Sequence, residues 1–125
     1  MNLDEGASEP NDVIARLLDE YVTSAIAHGQ ATLSGANREG GRHADNIARL
    51  YSAIRSLGTV ARQSLLALLE HNDHSVRVWA AAHSLEYAPE MAKPVLEVEA
   101  SRPGMIGFSA KMTLEEWRKG RLHFP

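Results

Sequence analysis

The sequence predicts an all-α fold, an alpha-alpha superhelix of about three antiparallel helix pairs. The first ground is a heptapeptide that occurs three times, as Tyr51-Ser52-Ala53-Ile54-Arg55-Ser56-Leu57, Trp79-Ala80-Ala81-Ala82-His83-Ser84-Leu85 and Phe108-Ser109-Ala110-Lys111-Met112-Thr113-Leu114, at offsets of 28 and 29 residues. Its pattern is aromatic, small, Ala, any, any, hydroxyl, Leu. Self-similarity at such a period marks units that bury their apolar faces by stacking on one another. The second ground is a further match at the 28-residue offset, Asp45 with Arg49 and Asp73 with Arg77. The third is a recurrence of apolar residues at steps of three and four through most of the chain.

Residues 1 to about 10 are rich in acidic and small residues and close on Pro10, which reads as a disordered or loosely tied lead to a single domain over 11–125. Asn11 or Asp12 is placed to cap a first helix. Val13, Ile14, Leu17, Leu18, Tyr21, Val22 and Ala25 then form one apolar stripe, carrying that helix to about residue 32, with Arg16, Asp19 and Glu20 outward. The stretch from Ser34 to His43 has the composition of a flexible connector or frayed helix start. Its glycines and arginines do not make a phosphate loop, which needs Lys followed by Ser or Thr and a preceding buried strand.

Asp45 is read as opening the second helix, where Ile47, Leu50, Tyr51, Ile54 and Leu57 share a face and Gly58 is the C′ residue. A third helix is expected over about 59–71, and a fourth, started by Asp73, over about 74–88. Pro89 stops the fourth or takes the N1 position of a fifth, about 89–100. Ser101-Arg102-Pro103-Gly104 is a turn by composition, and a sixth helix follows over about 105–119, ended by Gly120. Thr113-Leu114-Glu115-Glu116 also fits a capping box, so a break near Met112 is an alternative.

On a helix at 100° per residue, the Ala, hydroxyl and Leu of the heptapeptide share a sector, read as core, and the aromatic points away from it. The aromatic sits beside the residue four positions on, pairing Tyr51 with Arg55, Trp79 with His83 and Phe108 with Met112. Stacked units turn these pairs into a ladder. It serves either as packing between units or as an exposed strip for a partner, and Trp79 is the residue that separates the two.

With Asp73, Val76, Arg77, Ala80 and Ala81 in place, the fourth helix resembles the second helix of a HEAT-type repeat, in its shorter bacterial form. Val76-Arg77-Val78-Trp79-Ala80-Ala81, Glu86-Tyr87-Ala88-Pro89-Glu90 and Leu114-Glu115-Glu116-Trp117 together resemble a small bacterial family, domain of unknown function 2019. The resemblance implies a superhelix of about three helix pairs and brings no activity with it. Similar small helical-repeat proteins bind partners or neutralise toxins, so it permits an immunity role. The repeat pattern is broken at His83 and Ser84, where Ala and Leu would stand.

The charge balance, −3 with a pI near 6.0, disfavours a protein that neutralises many phosphates. The absence of cysteine excludes disulfides, thiolate metal sites and Cys nucleophiles and suits a reducing cytoplasm. No signal peptide or membrane span is read from the sequence. His71 and His74 flank a turn in which Asp73 is the cap, short of the convergent ligands a metal needs. Neither a GxSxG element nor facing carboxylates exist, so no catalytic, metal or cofactor residue is assigned.

The expectation is a protein-binding module whose second helices line a concave surface and present Arg49, Arg55, Arg77, Trp79 and His83. Stacked repeats create extended surfaces, and Arg and Trp are enriched at interface hot spots. The alternative is nucleic-acid contact through Arg38, Arg42, Arg49, Arg55, Arg62 and Arg77. A homodimer that buries the open ends of the solenoid, at Tyr21 and Trp117, is the third reading.

Overall fold

In the computed structural model, which describes residues 3–125 and side chains from residue 11 onward, the described chain is helical with no strand. The loose lead expected over residues 1–10 lies outside the described side chains. The helices are α1 (Leu3–Ser34), α2 (Asn37–Ser56), α3 (Thr59–Leu66, continued by a 3₁₀ turn over Ala67–Glu70), α4 (His74–Ser84), α5 (Pro89–Ala100) and α6 (Met105–Arg118). α1 passes through Asn11 and Asp12, so neither caps it.

The connectors follow their local chemistry, with two corrections, at the start of α2 and the end of α4. Gly35, at φ 78°, ends α1, and the Ala36 N–H reaches back to the Ala31 carbonyl at 2.9 Å, the bond that closes a helix through a left-handed residue. α2 then starts at Asn37, not Asp45, so most of the expected connector is helix and Asp45 is an exposed interior residue. Packing overrides the glycine propensity here: Gly40 is buried with Ala31 of α1 beside it. Gly58 follows α2, and the Asp73 carboxylate accepts from the Val76 N–H at 3.0 Å as the cap of α4. Pro89 is at the start of α5 and restricts Ala88 before it, whereas α4 ends at Ser84, four residues short of the expected boundary, and the chain runs on through turns to Ala88. α6 is unbroken at Met112.

α4 is central, packed against α1, α3, α5 and α6. Its core face is Val76, Ala80, Ala81, Ser84 and Leu85, all nearly inaccessible. The equivalent face of α6, Ala110 and Leu114, is buried as well. In α2 it is not: Ser56 is exposed and Leu57 is 48% exposed, because the end of α2 lies at the edge of the molecule with no further unit to cover it. The aromatic side of α4 was expected to look outward over a concave face. α1 lies on it instead, with Tyr21 against His83, His28 against Trp79 and Gly29 against Ser75. A Cβ on Gly29 would stand 1.9 Å from the Ser75 hydroxyl, so this crossing depends on the missing side chain.

Candidate functional site

The stripe Ser75, Trp79, His83 repeats every four residues along α4 and therefore lies on one side of it. Its two ends are built differently. At the His83 end the imidazole is 1% exposed, stacked on Tyr51 (3.9 Å between centroids, 6° between planes), with the Tyr21 hydroxyl 2.7 Å from Nδ1. Burial, assisted by the Arg55 charge, pushes the imidazole down to about 3, so the ring is neutral at neutral pH. Burial and the Glu86 carboxylate, to which Tyr51 donates, push the Tyr51 phenol up. Arg55 lies 5.4 Å from the centre of the Tyr51 ring and pairs with Glu86 at 3.0 Å.

At the Trp79 end the stripe is the floor of an open groove of about 410 Å³, walled by α1 and α6 and by the chain after α6. Trp79 is half-buried, edge-on to His28, and its indole N–H donates to His28 Nδ1 at 3.3 Å. Burial, together with His43, lowers the His28 pKa, which keeps that nitrogen available as an acceptor. Along α6, Met105, Phe108 and Met112 fall at i, i+3 and i+7 and are 56%, 55% and 38% exposed. No Asp, Glu, Lys or Arg lines the groove. Its volume is in the range, roughly 300–1,000 Å³, of sites that take small molecules or side chains.

The five residues expected at a binding surface are therefore not brought together. Trp79 lines the groove, whereas His83 is sealed in the core and Arg55 is tied to Glu86 and the carbonyl of Phe124. Arg77 belongs to a separate clamp: it donates to Glu99 at 2.8 Å and 3.0 Å and to the His71 carbonyl at 2.6 Å. Glu99 is 2% exposed and is also bonded to His74 at 2.9 Å. Burial pushes this carboxyl up, but the hydrogen bonds from Arg77 and His74 outweigh it and hold the pKa below the usual value. Arg49 is exposed on α2 and bonds Asn46.

Of the six central arginines, Arg38, Arg42 and Arg49 share an exposed stripe of α2, with Asp45 among them. Arg62 lies 6.0 Å from the Tyr87 ring. Sequence reasoning missed His28, Met105, Leu122 and Phe124 as groove residues and Glu99 as the partner of Arg77. The i, i+3, i+7 spacing of Met105, Phe108 and Met112 was a signal, since the same stripe left without a partner is what the groove exposes.

No protein-family model matches this sequence, and no curated protein matches it. Among solved structures it is similar to the protein RPA1889 from the bacterium Rhodopseudomonas palustris CGA009. That likeness has a TM-score of 0.80 at 22% identity, over 90% of this chain and 93% of that one. It shows a shared helical fold. Among the described residues no helix is long and apolar enough to cross a membrane, and no group of three or more His, Asp or Glu is placed to hold a metal ion.

Proposed function

We infer that the protein is a small HEAT-like binding module that recognises another protein through the groove at Trp79. The carrying observation is the open, uncharged groove with Met105, Phe108 and Met112 exposed at its edge. Solvent-exposed apolar residues are ordinary when scattered, but three on one helix face beside a half-buried Trp have the make-up of an interface core. The order of hairpins, the Asp73 cap and Arg77 at its side support the HEAT-like reading, and the resemblance to domain of unknown function 2019 rests on the same residues. An immunity-type role in a reducing cytoplasm fits a chain without cysteine. Nucleic-acid contact is weaker support for the same chain, because Arg55, Arg62 and Arg77 are engaged within the fold. The homodimer through the solenoid ends loses support at the first of them, because Tyr21 is fully buried against His83; light scattering reads it.

The test is retention of proteins from a native lysate by the immobilised chain and by Phe108→Glu. A protein held by the first and lost by the second is the expected result. No retention at micromolar concentration, or equal retention by both, would contradict the reading.

A further inference from the structure

One end of the groove is filled by the chain's own polypeptide. After α6 the Gly120 N–H bonds the Trp117 carbonyl and the Arg121 N–H the Glu116 carbonyl, both at 2.9 Å, and the chain turns back. Residues 121–125 run on without regular secondary structure. Leu122 and Phe124 are half-buried while Arg121, His123 and Pro125 are exposed, the alternation of an extended segment pressed on an apolar surface by one side. Phe124 is edge-on to His83 at 4.6 Å and to Tyr51 at 5.7 Å. Arg55 donates to the carbonyl of Phe124, at 3.3 Å, and to an oxygen of Pro125.

We propose that the groove is a receptor for an extended peptide segment with apolar side chains at alternate positions, and that residues 121–125 occupy its His83 end as a strap which such a segment replaces. This rests on the binding reading above and names the occupant. Three observations select it. The strap itself lies on the groove without regular secondary structure and turns alternate residues, Leu122 and Phe124, toward the floor, a spacing of two that a helical occupant would not match. The lining carries no Asp, Glu, Lys or Arg, so a charged inward side chain would be left unpaired, whereas an apolar one meets Trp79, Phe108 and Met112. The floor that Phe124 covers at His83 continues to the half-buried Trp79, with Phe108 and Met112 exposed beside it.

The last point explains how a free segment competes. A tethered strap has an effective concentration on the order of mM, so a rival wins only by using surface the strap leaves bare. The approximately 410 Å³ over Trp79, Phe108 and Met112 is that surface.

The experiment uses the full chain with Trp117→Phe, leaving Trp79 as its one indole, with and without Leu122→Ala plus Phe124→Ala. The probe is an end-blocked synthetic peptide of residues 119–125, beside the same peptide with Leu122 and His123 exchanged, which makes the apolar residues adjacent. The expected result is a shift in Trp79 emission, with an apparent Kd at least tenfold lower for the strap variant than for the intact strap. The exchanged peptide should bind at least tenfold more weakly. Equal binding by both chains, equal binding of both peptides, or no shift at millimolar peptide overturns the proposal. So does an equal shift with hexanol, which marks an apolar small-molecule site, or dimerisation of the strap variant without peptide, which marks a second copy. If the double variant does not fold, Leu122→Ala alone is used, with the same ordering expected. Loss of partner retention in Phe108→Glu, with no peptide effect, removes the strap and leaves the binding reading intact.

Discussion

The two ends of one helical stripe differ more than their sequence does. At one end of the stripe on α4, His83 is enclosed by Tyr21, Tyr51 and Phe124, and every polar atom among the described buried side chains has a partner. Toward the other, Trp79 has a single helix edge-on to it and a groove on its remaining side. The same aromatic position of the repeat is thus core in α2, half-buried in α4 and exposed in α6, where Tyr51 is 1% and Phe108 55% accessible. Burial of this position falls from α2 to α6, from packing at Tyr51 to surface at Phe108.

The comparison can be broken most forcefully at the sealed end. Tyr51→Ala removes a buried ring, its stack on His83 and the hydroxyl that bonds Glu86, and should cost about 3–5 kcal/mol in urea unfolding. A cost below ~1 kcal/mol would mean that the stack is not part of the core.

Acid should attack the same place. The His83 pKa is near 3 in the folded chain and about 6.5 when unfolded, so between those values the unfolded state binds more protons. Stability therefore falls as pH drops through this window, by up to about 1.4 kcal/mol per pH unit from this group, and His83→Gln should flatten the slope above pH 5. As the pH falls further, through the carboxylate range, Glu99 adds to the loss, since its lowered pKa stabilises the fold only while it is ionised. An unchanged slope in His83→Gln would show that the ring is not held neutral.

Trp79→Ala, at the half-buried position, should cost about 2 kcal/mol, less than the range for a fully buried aromatic. A loss as large as that of Tyr51→Ala would make the groove floor core. Asp73→Ala removes only a helix cap and should cost about 1 kcal/mol in thermal or urea unfolding.

How much of this was legible depended on whether the information was local. Gly58, the Asp73 cap, Pro89 at the start of α5 and Gly120 after α6 act through their own backbone and were readable one residue at a time. The start of α2 was not, because Gly40 and Gly41 argue against helix and only the neighbouring α1 reverses that. The recurrence predicted α2, α4 and α6 as counterparts but not that α1 would lie across α4, a contact set by Gly29 opposite Ser75, 46 residues apart in sequence. Arg55 and Arg77 looked free because their partners, Glu86 and Glu99, are 31 and 22 residues away. The groove shared this fate: Trp79, Phe108 and Met112 were in view, but His28 and Phe124 reach it only through the fold.

The most direct measurement is the urea unfolding midpoint of Phe108→Glu. With Phe108 on the surface at the groove edge, the free energy should stay within about 0.5 kcal/mol of the unsubstituted chain. A loss of several kcal/mol would put a charge into buried surroundings, make Phe108 a core residue, and close the groove on which the binding account depends.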